Sequence, residues 1–211
     1  FACDHLENQL PPLETWGRNF VSGPMGDPGP SNRNVVRVTA AFDGTMVTVD
    51  PPQGGTSNLM LSQGQSAVFD ATSPFTVNGT QAIMVTQFLV GQNASDPAAD
   101  RGDPAMVVLP PREQFRSDYT FVTPSSYNAG TEGQSYLLVV RTPGQEIQLD
   151  GSSISPAWQT TGDREVGIVP LEGGTHQMLA TDPFGVIVYG MGQFTSYAYP
   201  AGLNLEEILL I

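Results

Sequence analysis

The sequence predicts an all-β protein built from two tandem, related β-sandwich-like halves, with little or no helix. Short runs in which apolar and polar residues alternate are the first observation, because this period gives a strand one buried face; examples are residues 35–38, 46–49, 83–88 and 185–189. Turn-forming pairs separate such runs and suit tight hairpins, as in Asp43-Gly44, Asn78-Gly79 and Asp150-Gly151. The third observation is that several segments of the first half recur, in the same order, in the second.

The clearest recurrence is a Leu-Pro-Pro motif. The first LPP segment, residues 4–12, aligns without a gap with the second LPP segment, residues 103–111, and an aromatic residue follows each, as Trp16 and Phe115. Three further matches keep the same order: 43–50 with 143–150, 73–75 with 182–184, and 85–92 with 186–193. Preserved order over all of these matches predicts an internal duplication.

The duplication divides the chain into two domains. We predict that residues 1–97 form the first β half and that residues 98–211 form the second β half with a C-terminal tail. The join between them is short and polar, so the halves should make one rigid module. Helical periodicity is nearly absent, and only residues 111–118 are expected to make a single helical turn.

Charge and composition exclude several classes of partner. The net charge of −13 repels nucleic-acid phosphates and anionic membrane surfaces, so we predict no nucleic-acid partner. No apolar run reaches the length of about 20 residues that a membrane helix needs, which predicts no membrane insertion. All eight basic residues are arginines, and this excludes a Schiff-base or phosphate-loop lysine. The turn-rich polar composition is typical of exported β proteins.

The one cysteine, Cys3, lies two residues from His5, one of only two histidines. A thiolate activated by imidazole and a metal site are the functional alternatives, but one cysteine and one histidine are too few ligands for structural zinc. The second LPP segment places Gly102 and Pro104 at the same positions, which favours a structural role. We predict no disulfide within the chain, with Cys3 unpaired, and no cofactor.

Three aspartates at the join are calcium candidates, because hard cations prefer oxygen ligands: Asp96, Asp100 and Asp103. Their spacing fits no EF-hand loop, and acidic turns are ordinary in a chain of this charge, so we assign no metal site and keep calcium as an alternative. Arg101-Gly102-Asp103 spells an integrin-ligand tripeptide. Because Gly102 and Asp103 belong to the Gly-Asp-Pro-Ala-Met stretch at 102–106, only Arg101 is left to chance, and we interpret this tripeptide as a coincidence.

No catalytic constellation emerges, so we assign no catalytic residue and predict that the chain is not an enzyme. A Gly-x-Ser-x-Gly nucleophile motif is absent, and an exposed strand position accounts for His176. The paired carboxylates of a glycosidase stay open, because a sequence with 21 acidic residues gives no distances between them. Aromatic residues at matched repeat positions favour core packing over sugar stacking: Trp16, Phe115, Phe75 and Phe184.

Several motifs together resemble the IgG-Fc-binding domain family, which is named for the amino-terminal region of the mucus IgG-Fc-binding protein and is common in large exported bacterial proteins. The motifs extend from Cys3 to about Pro200: CDHLE, QLPP and WG near the start, then Gln87-Phe88, GDPAM at 102–106, DYTF at 118–121 and DPFGV at 182–186. The resemblance implies a secreted or surface-displayed β module that binds or adheres and does not catalyse. It identifies no individual binding residues, and the family name alone does not make IgG the ligand.

One departure from that family concerns the cysteine. Members commonly have a second cysteine in the loop after the Gln-Phe strand, which corresponds here to residues 93–100. This chain has no cysteine there. The resemblance therefore implies that Cys3 lacks its usual partner.

We therefore predict a non-catalytic extracellular or cell-surface binding and adhesion module of a larger exported protein. Its partner is a protein or glycan ligand, or copies of itself. The binding residues are unknown, and the candidate surface is the set of loops where the two halves agree least: 22–34, 51–58 and 125–135. The alternative is a self-assembling structural subunit of a surface fibre or sheath, and a secreted hydrolase ranks below both.

Overall fold

The computed structural model describes residues 4–26, 32–91, 101–127 and 133–208. Sixteen strands and two single turns of 3-10 helix, Leu13–Thr15 and Arg112–Gln114, form within these residues, which contain no α-helix. This confirms the predicted all-β class. The first eight strands are β1 (Asn19–Ser22), β2 (Asn34–Ala40), β3 (Thr45–Gln53), β4 (Thr56–Leu61), β5 (Ser66–Ala71), β6 (Phe75–Gly79), β7 (Ile83–Leu89) and β8 (Ala105–Val108). The others are β9 (Arg116–Thr123), β10 (Gly133–Arg141), β11 (Ile147–Leu149), β12 (Ser152–Ser153), β13 (Gln159–Thr161), β14 (Arg164–Leu171), β15 (Gly174–Gly192) and β16 (Thr195–Pro200).

Strands β1 to β8 form two four-stranded antiparallel sheets, in the orders β1-β6-β3-β4 and β5-β2-β7-β8. Their residues follow the alternation seen in the sequence: β2 buries Val36, Val38 and Ala40 and turns the residues between them outward. The Asp43-Gly44 turn forms as predicted, with Gly44 at a φ of 66°. The Asn78-Gly79 pair, in contrast, ends β6 and does not form the turn predicted for it.

Strands β9 to β16 form a larger assembly, because one long strand serves two sheets. The 19 residues of β15 pair at their N-terminal end with β9 and β11, and at their C-terminal end with β10 and β16. The β9 pairing shifts register between Leu179 and Phe184, where the strand passes from one sheet to the other. The strand orders are β9-β15-β11-β12 and β13-β14-β10-β15-β16.

The two halves share one strand order. The sheet β1-β6-β3-β4 corresponds to β9-β15-β11-β12, and β5-β2-β7-β8 corresponds to β14-β10-β15-β16, with β13 as an addition. A common order in both sheets supports the duplication inferred from the sequence, which itself stays a prediction. The placement of β8 is notable: it follows the predicted boundary after residue 97 along the chain, yet it pairs with β7 in the sheet of the first half.

Two apolar clusters fill the protein, and the larger one contains residues of both halves. On β10, Tyr136, Leu138 and Val140 belong to the cluster of the first half, whereas Leu137 and Val139 belong to the cluster between the sheets of the second half. The strand is thus buried on both faces, which explains its unbroken apolar run. The described parts of the two halves are therefore packed through a shared core. No helix in these residues is long and apolar enough to cross a membrane.

The aromatic residues at matched repeat positions lie mainly in the core. Phe75 and Phe184 are fully buried, and Phe115 is 9% exposed. Trp16 is half-buried and donates its indole N–H to the Pro11 carbonyl at 3.1 Å. The prediction of core packing is therefore met for the three phenylalanines, and Trp16 lies at the edge of the core.

The 3-10 turns of the two halves meet at their junction. The Glu113 carboxylate, through Oε1, accepts hydrogen bonds from the Arg18 backbone amide at 3.1 Å and from Asn19 Nδ2 at 2.8 Å. The C-terminal tail crosses the same place, where the Ile208 amide donates to the Glu14 carbonyl at 2.8 Å. The junction therefore joins the first turn, the second turn and the tail.

Candidate functional site

Three tyrosines lie in a row on one side of the second half. Tyr197 and Tyr199 project from the same face of β16, because side chains two apart in a strand point the same way. Tyr127 lies before β10 and its ring centroid is 6.4 Å from that of Tyr197, while Tyr197 and Tyr199 are 6.0 Å apart. Interplanar angles of 27° and 26° make the rings roughly parallel. All three are half-buried.

The row rests on a floor of glycines. A Cβ at Gly190 would lie 2.1 Å from the Tyr127 hydroxyl and 2.4 Å from the Tyr197 ring, and one at Gly133 would lie 2.2 Å from the Tyr127 ring. All three distances are shorter than van der Waals contact, so the Tyr127 and Tyr197 rings lie directly on the backbone of β10 and β15. Glycines inside strands are typical of such close approach.

A hydroxyl network holds the rings in place. Ser135 Oγ lies 2.8 Å from the Tyr127 hydroxyl and 2.8 Å from the Tyr197 hydroxyl. The Tyr199 hydroxyl donates to the Val122 carbonyl of β9, so the row also bridges the two sheets of the second half. Burial raises the pKa of Tyr197 and, to a smaller extent, that of Tyr199. Neutral hydroxyls that both donate and accept hydrogen bonds are therefore present at physiological pH.

A polar pocket of about 250 Å³ opens beside the row. Its walls come from residues 124–127, 133–135 and 171–173, so it shares Tyr127 and Ser135 with the row. Pro124, Ser125 and Ser126 are exposed. We name Tyr127, Ser135, Tyr197, Tyr199 and this pocket the tyrosine surface. It includes the described part of the predicted loop 125–135, to which it adds the two tyrosines of β16.

The second predicted loop, 22–34, is anchored in the interior. Gln87, fully buried on β7, accepts a hydrogen bond from Ser22 Oγ at 2.7 Å and donates through Nε2 to the Gly23 carbonyl at 2.8 Å and to Asn34 Oδ1 at 2.7 Å. The same Asn34 oxygen accepts from the Met25 amide at 2.6 Å. Both ends of this loop are therefore fixed by a buried polar network, and residues 27–31 lie outside the described part of the chain.

The third predicted loop, 51–58, forms part of the β3–β4 hairpin. Gln53 is buried and donates through Nε2 to Ser73 Oγ at 2.8 Å, while its Oε1 accepts from the Thr72 amide at 3.1 Å. Gly54 and Gly55 form the turn with φ values of 52° and 79°. This hairpin is strand structure, and the hydrogen bonds of buried Gln53 attach it to the segment before β6.

The sequence-predicted cysteine and calcium positions fall mostly outside the described residues: Cys3, Asp96 and Asp100. Asp103 is described and half-buried, and its amide donates to Ser196 Oγ at 2.8 Å. Burial first, and then the charge of Asp4, raise the pKa of the Asp103 carboxyl. Within residues 4–26, 32–91, 101–127 and 133–208, no group of three or more His, Cys, Asp or Glu side chains is placed to hold a metal ion.

Two other motifs singled out in the sequence have described residues. Gly102 of the Arg-Gly-Asp tripeptide is buried and its amide donates to the Gly192 carbonyl at 2.8 Å. His5 is exposed, with Nε2 3.1 Å from a Glu7 carboxylate oxygen. Gly102 of the tripeptide thus takes part in backbone pairing with the C-terminal end of β15.

The expectation that His176 occupies an exposed strand position was wrong. Its side chain is only 10% exposed, and the ring lies 5.8 Å from that of Phe121, its partner across the strands. Position 176 has the same orientation as buried Met178, so the ring covers one end of the second core. His176 therefore lies beside the second core, outside the tyrosine surface.

Sequence reasoning did not identify the tyrosine surface. Tyr127 and Tyr197 are distant along the chain, and hydrophobic period alone does not indicate which strands will bring them together. One signal was present: Gly190 lies inside β15, and Gly133 and Gly192 are terminal residues of β10 and β15. A glycine inside a strand often marks the place where an aromatic ring or a ligand approaches the backbone.

A comparison with protein-family models gives a match over most of the chain. A family model described as IgGFc binding protein matches residues 1–190. No curated protein matches the chain.

Among solved structures, a lectin from Pleurotus ostreatus in complex with GalNAc aligns with a TM-score of 0.25 and 11% identity, over 93% of this chain and 85% of that one. The apo form of the Pleurotus ostreatus lectin gives a TM-score of 0.24 and 11% identity, over 93% and 82%. An anti-sigma factor domain-containing protein gives 0.24 and 10%, over 87% and 81%. Similarity at these TM-scores carries no argument about fold or ligand.

Proposed function

The chain belongs to the IgGFc-binding family, and from this premise we propose that it is a non-catalytic binding and adhesion module of a larger exported protein. Its ligand is a protein or a glycan. Family membership and the turn-rich polar composition support an extracellular or cell-surface location.

The observation that carries the proposal is the tyrosine surface. It combines three parallel aromatic rings with neutral hydroxyls and an adjoining polar pocket. Tyrosine supplies a large, rigid contact area at low cost in side-chain entropy, which is why it is frequent in binding surfaces. The Tyr127 and Tyr197 rings are held by the glycines beneath them and by Ser135, and Tyr199 is held by the Val122 carbonyl. Binding of a ligand therefore costs little side-chain entropy at this surface.

The chemistry of this surface favours ligands that present both an apolar face and hydroxyl or amide groups. A sugar ring and an exposed protein loop share this character. The net charge of −13 disfavours strongly acidic ligands. We therefore expect neutral glycans or neutral to basic protein surfaces to bind best.

A binding panel tests the proposal. Immobilised mucin, neutral oligosaccharides and immunoglobulin are probed with the wild-type chain, and with the variants Tyr197→Ala and Tyr127→Ala. Met60→Ala is the matched control, because Met60 is 71% exposed on β4, away from the tyrosine surface. We expect the tyrosine variants to weaken binding about 10-fold or more, and the control to leave it unchanged.

Folding of each variant is checked by its thermal midpoint, so that loss of binding is separated from loss of structure. If no member of the panel binds the wild-type chain, the adhesion role is contradicted. If binding occurs but survives both tyrosine substitutions, the module binds through another surface.

A further inference from the structure

Leu10 and Leu109 hold the same place in the LPP segments but have opposite environments. Leu109 is 2% exposed, and its amide donates to the Val85 carbonyl at 2.8 Å. Leu10 is 52% exposed. Burial of a leucine side chain is favourable because it removes apolar area from water. The difference in exposure therefore indicates that the second LPP segment has a packing neighbour that the first one lacks.

The neighbour of the second LPP segment is a sheet in the other half. Its residues Ala105–Val108 form β8, which closes the edge of the sheet β5-β2-β7 by pairing antiparallel with β7. Ala105, Val107 and Leu109 are buried in the core of the first half. The segment that leads into the second half therefore completes the unit that precedes it.

The first LPP segment matches the second in sequence but pairs with no strand in the described part of the chain. Residues 4–10 are described as non-strand, and the positions equivalent to Ala105, Val107 and Leu109 carry Leu6, Asn8 and Leu10. Six of the seven residues are exposed. An open groove of about 290 Å³ lies beside them, with largely apolar walls that include Leu10, Pro11, Val108, Leu109 and Leu203.

We propose that residues 6–10 are an edge strand for another β-sandwich unit with the architecture of the first half, and that they pair antiparallel with the strand of that unit equivalent to β7. This interaction is β-strand addition, in which backbone hydrogen bonds give affinity and alternate side chains fill the core of the partner. The proposal uses the predicted repeat and is independent of the tyrosine surface.

The partner is a further unit, because both equivalent edges in this chain are filled. In the first half, β8 covers β7, and in the second half, β16 covers the C-terminal part of β15. The register of β8 predicts how the two strands pair. Leu10 takes the place of Leu109, and its amide donates a hydrogen bond to the carbonyl that is equivalent to that of Val85. Leu6 takes the place of Ala105, which pairs with Leu89.

A three-unit chimera tests this directly. Residues 4–102 are fused to the N-terminus of residues 4–211. The added unit therefore ends before its own β8, and its Gly102 is followed by Asp4 in the place that Asp103 normally occupies. The chimera contains no cysteine, because Cys3 is the only one in the sequence. Leu10→Cys in the second segment then provides a single thiol, and its rate of modification by a maleimide reports whether that position is buried.

Two reference proteins calibrate the rate, both in the 211-residue chain with Cys3→Ser: Leu10→Cys for an exposed thiol and Leu109→Cys for a buried one. We expect the chimera thiol to react at least about 100-fold more slowly than the first reference, approaching the second, as amides and side chains in stably paired strands do. In the chimera without the cysteine substitution, hydrogen exchange at the Leu10 amide of the second segment should slow as well.

A control chimera keeps the native edge strand. Residues 4–108 are joined through a flexible Gly-Ser linker to residues 4–211, so the added unit carries its own β8 and Leu10→Cys should react as quickly as in the chain alone. Slow amide exchange in the added copies of β2 and β7 reports that the added unit is folded. The proposal is overturned if that unit is folded and the thiol of the first chimera reacts as fast as the exposed reference. It is likewise overturned if the added unit folds in the control chimera and not in the first, because residues 6–10 then fail to replace β8. It is also overturned if the thiols of both chimeras are protected equally, because protection then does not depend on an open edge.

Discussion

Nδ1 of His176 lies 2.8 Å from a carboxylate oxygen of Asp150, and Nε2 of the same ring lies 3.1 Å from the Glu172 carbonyl oxygen. Both neighbours accept hydrogen bonds, so only the protonated ring can donate to both. The other Asp150 oxygen accepts from the Gln177 amide at 2.9 Å. The pair thus ties the β11–β12 turn to β15.

The first prediction concerns Asp150→Asn. The hydrogen bond from His176, and then that from the Gln177 amide, lower the pKa of the Asp150 carboxyl below its usual value. A lowered pKa in the folded state gives stability that is fully present above the unfolded value of about 3.9 and is lost as the pH falls through the folded value. Thermal unfolding should therefore show the variant less stable at pH 6, by up to about 1 kcal/mol because the carboxylate is half-exposed.

The difference between wild type and Asp150→Asn should shrink as the pH falls below about 4. Asparagine tolerates the left-handed backbone at this position, where φ is 51°, so the comparison isolates the charge. Asp182→Asn, at an exposed position of the same strand β15, is the control and should change the midpoint little. A difference that is constant from pH 7 to pH 2 would refute the assignment.

The second prediction concerns the buried amide of Gln87. Gln87→Met keeps the shape of the side chain but leaves Ser22 Oγ and the Gly23 carbonyl without their hydrogen-bond partner. Each unsatisfied buried polar group costs about 1–3 kcal/mol, so we expect chemical denaturation to show a loss of about 2–4 kcal/mol. Gln63→Met, on an exposed turn, should stay within about 0.5 kcal/mol.

Adding Ser22→Ala to Gln87→Met tests the network itself. The double variant should be less destabilised than the sum of the single variants, because the hydroxyl that Gln87→Met leaves unsatisfied is then absent. Simple additivity would mean that Ser22 and Gln87 act independently.

The local pattern of the sequence was sufficient for the fold class but not for the arrangement of its strands. Alternation predicts strands such as β2 because side-chain period is a property of a few neighbouring residues. The strand that pairs with β8 could not be predicted from local alternation. The repeat aligned its residues with the second half, whereas hydrogen bonding joins it to β7 in the first, because equivalence in a repeat does not determine which sheet has an open edge.

The tyrosine surface could be predicted only in part. The variable loop 125–135 was identified as a candidate, since loops on a rigid scaffold carry binding residues. The β16 tyrosines were not, because their proximity to Tyr127 depends on long-range pairing through β15 and β10. Strand-interior glycines were the one local sign of that contact.

The third prediction tests this glycine floor. Gly190→Ala would place a methyl group 2.1 Å from the Tyr127 hydroxyl, so the ring must move and the protein should lose about 1–3 kcal/mol. The near-ultraviolet circular dichroism of the tyrosines should fall with it. Gly91→Ala is the matched control, because its nearest neighbour would be Pro104 Cδ at 3.8 Å, an ordinary contact. Equal effects of the two substitutions would contradict the contact.

The fourth prediction concerns the link between Gln114 and the C-terminal tail. Gln114 Nε2 donates to the Glu206 carbonyl at 2.7 Å, and its Oε1 accepts from the Glu206 amide at 3.0 Å, so one side chain replaces the strand pairing that an extended tail would otherwise need. Gln114→Ala removes both bonds. We expect hydrogen exchange at Glu206 to accelerate on the order of 10-fold or more, since each lost bond lowers the local opening free energy by about 0.5–1.5 kcal/mol.

Two further measurements distinguish local detachment of the C-terminal tail from a loss of stability of the whole fold. Amides of β10, in the shared core, should keep their protection in Gln114→Ala, because the tail lies at the junction and not in that core. Gln177→Ala, at an exposed position on β15, should leave Glu206 exchange unchanged. If exchange rises equally in β10 and in the tail, Gln114 supports the whole fold through its burial, and the tail depends instead on backbone bonds such as that from Ile208 to Glu14.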